Sequence, residues 1–355
     1  MRLQPIAKHI LRSLIIAPVV MAAVAGGILV FTAPKVPAPI AAIQKAGDPL
    51  KAFAMAEPAA RFMTARDGNA LSYRYYPGTP GGGVAVVVHG SSGTTVAMHG
   101  VASALSARGI TVYSIDLRGH GLSRGPGGRL GDIVYRGQYE DDLEDFAKLA
   151  AREHPGERRL LLGHSMGGST ILRTAGMARY AKNYDAYLAL SPFIAPGTAM
   201  DRPNEGGWTS VSVPRIVVLT ILDTIGITVF DHMTVLAMAV PDGDRNMRPR
   251  TYSHALLASA NLPRKWQPAI AAIRAPTRVL IGADDELFHA EAYPGAFAAV
   301  NPAIPVTVLK GVGHMGMVYQ PAALEAEADT AVEMLQANRP APRADGARKT
   351  PTSAF

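Results

Sequence analysis

Between about residues 61 and 337 short apolar runs alternate with stretches of helical spacing. Val84–Val88 is an unbroken Val/Ala run, and Ile110–Ile115, Arg159–Leu162, Ala186–Leu190, Arg278–Ile281 and Val306–Leu309 predict further strands. Helices are predicted at Val96–Arg108, at Tyr139–Glu153 (Leu143, Phe146, Ala147 and Ala150 on one face), at Met166–Ala178 and at Pro321–Ala337. Strands apolar on both faces that alternate with helices imply a parallel sheet covered on both sides. Arg61–Ala65 and Leu71–Tyr76 flank Asp67-Gly68, which signals a hairpin at the start. The rhythm breaks over Pro192–Ala275. That segment holds Ile216–Phe230, whose only charge is Asp223; it is too short for a membrane span and reads as an apolar insertion.

A different pattern precedes the domain. Residues 13–34 carry no charge and follow Arg2, Lys8 and Arg12 in a basic segment, 1–12. At about 1.5 Å per residue such a run is long enough for a bilayer core of about 30 Å. It is expected to be a transmembrane signal-anchor that holds the catalytic domain on the non-cytoplasmic side. A signal peptide cleaved near Ala22–Gly26, leaving a secreted protein, is the alternative. Residues 35–60 read as a Pro- and Ala-containing linker and 338–355 as a disordered tail, leaving 61–337 as the domain.

Composition narrows the class. Of 355 residues 48% are hydrophobic and 18% charged, enough for a large core, and the absence of Cys excludes a disulfide scaffold, a thiolate metal site and a Cys nucleophile. The net charge of +7 is concentrated at the ends, +5 within residues 1–51 and +3 within 338–355, so the domain itself is near neutral and a nucleic-acid partner is not expected.

Gly163-His164-Ser165-Met166-Gly167 fits G-x-S-x-G, but so does Gly121-Leu122-Ser123-Arg124-Gly125. A nucleophile elbow needs a strand before the serine and a helix after it, because the strained turn lifts the hydroxyl above the sheet. Ser165 has Leu160-Leu161-Leu162 before it and Gly168–Ala178 after it; Ser123 lies in coil and is expected to be a loop residue. A serine hydroxyl needs a base, and the base needs an acid to orient it. On a sheet carrying such an elbow, acid and base follow later strands in that order. Arg278–Ile281 runs into Gly282-Ala283-Asp284-Asp285-Glu286, and Val306–Leu309 runs toward Gly313-His314. His289 is a rival base, but it would open a helix. Two convergent backbone N–H groups are required for the oxyanion. The candidates are Met166, directly after the serine, and Ser91 in the loop after Val84–Val88.

Taken in order, His89-Gly90, Asp116-Leu117-Arg118-Gly119-His120-Gly121-Leu122-Ser123, Gly163-His164-Ser165-Met166-Gly167-Gly168, Leu190-Ser191-Pro192, Gly282-Ala283-Asp284-Asp285 and Gly313-His314 resemble the α/β-hydrolase superfamily. The most similar branch is the monoacylglycerol lipase / lysophospholipase-like, or serine aminopeptidase-like, group. The resemblance implies an α/β fold with a mostly parallel eight-stranded sheet and a cap after the sixth strand, about 192–275. It puts the acid at Asp285, with Asp284 as the neighbouring alternative. It also matches Ser91 and Met166 to the oxyanion positions and makes Asp116–Ser123 a structural loop.

The expected function is a serine hydrolase of carboxylic esters, lipid-like in substrate, with Ser165, His314 and Asp285 as a triad and no metal or cofactor. Its expected partners are a small-molecule or lipid ester and, through the N-terminal helix, a membrane. One alternative is a peptidase or amidase with the same triad, whose acidic subsite would come from Asp201, Glu205, Asp223, Asp231, Asp242 or Asp244. Another is a non-catalytic scaffold. Dehalogenase- and epoxide hydrolase-type chemistry needs an Asp at the elbow and is excluded by Ser165.

Overall fold

The computed structural model describes residues 4–38, 41–202, 208–240 and 247–336, with side chains of the first helix from Ile16 onward. Two helices lead in, α1 (Gln4–Phe31) and α2 (Ala41–Ala56). The domain then runs β1 (Arg61–Thr64), β2 (Ala70–Tyr76), β3 (Val84–Val88), α3 (His99–Ala107), β4 (Thr111–Ile115), α4 (Gln138–Glu153), β5 (Arg159–His164), α5 (Met166–Gly176), α6 (Ala178–Ala181) and β6 (Ala186–Leu190). The cap follows with β7 (Thr209–Val211), α7 (Val213–Thr224), β8 (Thr234–Met238), β9 (Thr251–Ser253) and α8 (His254–Ala260). The chain returns through α9 (Gln267–Ala271), β10 (Thr277–Gly282), α10 (Tyr293–Val300), β11 (Val306–Leu309) and α11 (Pro321–Gln336).

Eight strands form one sheet in the order β1-β2-β4-β3-β5-β6-β10-β11. From β4 to β11 every neighbouring pair is parallel; β1–β2 and β2–β4 are antiparallel. The period of two sorts side chains to opposite faces. Val84, Val86, Val88, Tyr113, Leu161, Tyr187 and Ile281 join one core with α4, α5, α8 and α10. Ala85, Val87, Val112, Leu160, Leu162, Leu188 and Leu280 join a second core with α3 and α11. Apolar cover on both faces is why the middles of these strands are mostly apolar.

The predicted helix over 96–108 is split. A 3₁₀ turn at Thr95–Met98 precedes α3, and the Thr95 N–H donates to Asp116 at 2.9 Å. Pro192–Ala275 is more than an apolar insertion, since it contains a small antiparallel sheet, β7-β8-β9. The apolar stretch from Ile216 divides between α7 and the turns after it, and Val213, Val217, Ile221 and Ile225 of α7 and its C-terminus are exposed.

The transmembrane signal-anchor expected at 13–34 falls partly on side chains outside the described residues. Among the described residues no helix is long and apolar enough to cross a membrane. The end of α1 is docked on the cap. Leu29 is buried with Leu219 and Val235, and the Arg215 guanidinium donates to the Leu29 carbonyl and, at 2.8 Å, to the Thr234 carbonyl. The tail expected at 338–355 and the basic side chains of 1–12 lie outside the described residues.

Glu327 of α11 is fully buried in the second core, and neither carboxyl oxygen has a hydrogen-bond partner among the described residues. Burial pushes its carboxyl well above the usual range, so it holds a proton. A raised folded-state pKa contributes stability below the unfolded value of about 4.5 that is lost as pH rises toward the folded one. Glu327→Met is therefore expected to gain about 1–3 kcal/mol at pH 8. The drop in urea midpoint from pH 5 to pH 8 should be smaller for the variant than for the parent protein.

Candidate active site

The site is built where β3, β5, β6, β10 and β11 end. Ser165 stands between β5 and α5 with φ 55° and ψ −116°, and is 9% exposed. Such a conformation costs on the order of 1–3 kcal/mol and must be held by its surroundings. The Ser165 N–H donates to the Leu190 carbonyl at 2.9 Å, and its carbonyl accepts from Ser169 at 3.0 Å and Phe193 at 3.2 Å. Only glycine fits beside it. A Cβ on Gly163 would lie 2.4 Å from the Gly167 carbonyl oxygen; one on Gly167 would lie 2.5 Å from that of His89 and 2.6 Å from that of Val88. Among the described residues the non-glycines with positive φ are Ser92, Ser165 and Ser191, which follow β3, β5 and β6.

Asp285 and His314 meet although 29 residues separate them. His314 Nδ1 lies 2.8 Å from Asp285 Oδ2, and both side chains are almost fully buried. A carboxylate only accepts, so Nδ1 carries the proton and Nε2 keeps its lone pair. Asp285 Oδ1 accepts from the N–H groups of Leu287 and Phe288, each at 2.9 Å. Burial works against both charges. The Asp285 charge and hydrogen bond, helped by Glu286, override it and hold the imidazole above its ordinary value. In turn His314, with the Leu287 N–H and Ser191, holds the Asp285 carboxyl below the usual range against burial. Asp284, the alternative acid, is exposed.

His314 is tied to the elbow through His164. The His164 Nε2 donates to the His314 carbonyl at 3.1 Å, and the two rings are 4.8 Å apart. Burial, with the neighbouring His314 charge, pushes His164 down to about 3, so it stays neutral. The Glu286 carboxylate accepts from the His314 backbone N–H at 2.8 Å, and Phe288 packs edge-on against the imidazole at 5.0 Å.

The loop after β3 closes the other side. A Cβ on Gly90 would lie 3.1 Å from that of Ser165, which brings Gly90-Ser91 against the serine. Met166 is the first residue of α5 and is buried. The structure thus gathers Ser165, His164, His314, Asp285 and the Gly90 loop, and it leaves the rivals out. Ser123 is fully buried and its Oγ accepts from the Ser72 N–H at 2.7 Å. His289 is half-exposed and pairs with Glu291 at 3.2 Å. In the cap, Asp223 and Asp231 pair with Arg136, and Asp231 also bonds His254 at 2.9 Å. Asp201 accepts from Gly197. Glu205, Asp242 and Asp244 lie outside the described residues. Sequence reasoning missed Glu286, His164 and Ser92 as parts of the site. Only the position of His164 beside the elbow serine could have pointed to it.

This fold, with a strained serine between a buried strand and a helix N-terminus and an Asp–His pair on later strands, defines an α/β-hydrolase. Residues 80–317 match the serine aminopeptidase S33 family (Hydrolase_4), and the chain belongs to that family. A monoacylglycerol lipase of Mycolicibacterium smegmatis is 36% identical over 118 residues, which is 33% of this chain and 40% of that protein. The match therefore spans well under half of that relative. Among solved structures, a monoglyceride lipase of Saccharomyces cerevisiae superposes with a TM-score of 0.60 at 18% identity, covering 79% of this chain and 95% of that one. The monoacylglycerol lipase of Paleococcus ferrophilus gives 0.52 at 19% identity, covering 75% and 98%. At these identities the two structures speak for the fold.

The crowding at the elbow has a direct consequence. Gly167→Ala drives a methyl into two backbone carbonyls that cannot move without breaking β3. The expected loss is more than about 2 kcal/mol, within the range for overpacked cores. Thermal denaturation of the variant beside Gly295→Ala, where a Cβ meets nothing within 4 Å, measures it.

Proposed function

We propose that this hydrolase cleaves carboxylic esters, lipid-like in their acyl part, through an acyl-enzyme on Ser165. The observation that carries the reading is the buried 2.8 Å contact between His314 Nδ1 and Asp285, made beside the strained turn that presents the serine. With Nδ1 holding the proton, Nε2 is left to take one from the Ser165 hydroxyl as it attacks the acyl carbonyl. Asp285 stabilises the imidazolium that forms. The N–H groups of Ser91 and Met166 receive the developing oxyanion, and the imidazolium then protonates the departing alcohol. Water, deprotonated by His314, releases the acid and restores the serine.

Two observations support a lipid-like ester. The relatives named above are monoacylglycerol and monoglyceride lipases, and α7 of the cap presents apolar side chains. The amide reading needs an acidic subsite, and the described acidic residues of the cap are engaged internally.

Ser165→Ala is expected to lower p-nitrophenyl ester turnover roughly a millionfold and to abolish labelling by a fluorophosphonate probe. Turnover near the parent rate would overturn the reading. Esters of C8–C12 acids should be preferred to acetate; the reverse order argues against a lipid pocket.

The base must be neutral to work, and its pKa lies above the ordinary 6.5. The rate kcat/KM should therefore be low in acid and rise through a midpoint above 6.5. Asp285→Asn removes the group that holds the imidazole and should lower kcat by about 10⁴. Asp284→Asn, at an exposed position, should change it less than twofold.

A further inference from the structure

Ser92 lies next to the candidate oxyanion donor and has φ 54°, where a serine does not rest unaided. Its local partners do not hold it there. Each of its polar atoms is engaged by the chain returning from the cap, about 160 residues away. The Ser92 N–H donates to the Tyr252 hydroxyl at 2.6 Å. The Ser92 hydroxyl donates to the Pro249 carbonyl at 2.5 Å. The Ser92 carbonyl accepts from Arg248 Nε at 2.7 Å.

The tyrosine is itself fixed. Tyr252 is fully buried, its ring lies edge-on to His120 at 5.4 Å, and its hydroxyl is 2.8 Å from His120 Nε2. Burial drives His120 well below its ordinary value, so the ring is neutral with one proton. His120 Nδ1 faces the Arg118 carbonyl at 3.2 Å, and a carbonyl only accepts, so the proton is on Nδ1. Nε2 is then an acceptor and Tyr252 must donate to it. That leaves the tyrosine oxygen's lone pairs for the Ser92 N–H, and the directions of all three bonds are set.

We propose that Tyr252 is a positioning residue for the oxyanion hole: by accepting the Ser92 N–H it fixes the 91–92 peptide, and with it the aim of the Ser91 N–H at the reacting carbonyl. The inference rests on the ester-hydrolase reading and adds a residue from the cap to it. Tyr252 touches no substrate in this account; the strand-end serine is held in its left-handed conformation from outside the sheet.

The test uses the full chain with Tyr252→Phe, which removes the hydroxyl and keeps the ring. Loss of an oxyanion donor outright lowers kcat by 10²–10³, and misaiming one should lower it by about 10–100-fold. KM should stay within about twofold, and affinity for an alkyl boronic acid, which forms a tetrahedral adduct on the serine, should fall by the same factor as kcat. An unchanged kcat and boronate affinity would overturn the proposal, as would a rise in KM alone, which would make Tyr252 a substrate contact. Amide hydrogen exchange at residues 90–93 gives a readout that does not depend on turnover. Faster exchange there in the variant supports the clamp; identical exchange sinks it, even if the parent protein proves inactive on esters and the hydrolase reading fails separately.

Discussion

The turn at residue 165 is the constraint around which the domain is organised. A serine with positive φ between a strand and a helix persists only where backbone is packed against backbone on all sides. That packing needs β3, β5 and α5 so close that Gly163 and Gly167 admit no side chain. It also needs the end of β6, which supplies the Leu190 carbonyl. The parallel sheet brings these elements to one rim because its strands all end there. Three strained serines at three neighbouring strand ends show that the strain belongs to the rim as a whole.

The cap braces this rim. Thr170 of α5 donates to the Ala260 carbonyl at 2.7 Å, and the Leu262 N–H donates to Ser169 Oγ at 2.8 Å. Arg173 donates to the Ala258 carbonyl at 2.6 Å while it pairs with the buried Glu140. The helix that follows Ser165 is therefore anchored in α4 and in the end of the cap as well as in the sheet. An insertion that looks peripheral in the chain is structurally part of the floor beneath Ser165.

How much of this was legible in the sequence follows from how local each signal is. The central strands were legible because burial on both faces removes polar residues, and Ala186–Leu190 matches its strand end to end; the edge strand Val306–Leu309 is half exposed but also matches end to end. Ser165 was separable from Ser123 by its flanks alone. The two adjacent aspartates were not separable by local pattern, since only the fold turns Asp285 inward and Asp284 out. The cap sheet was illegible for a plainer reason. β7 and β9 have three residues each, too few for a period, and their pairing partners are far along the chain. The hold of Glu286 on the His314 backbone, and that of the cap on Ser92, join residues with no shared motif. Hydropathy reports the length and polarity of the N-terminal run and says nothing of what the end of α1 leans on.

The clasp of Arg215 on the last turn of α1 bears on how the polypeptide is handled. A recombinant version trimmed at Pro34 would strip an acceptor from that guanidinium and uncover Leu219 and Val235, leaving a sticky scar on the cap. Poor behaviour of such a truncated preparation would reflect that wound in the cap, with the hydrolase domain beneath it intact.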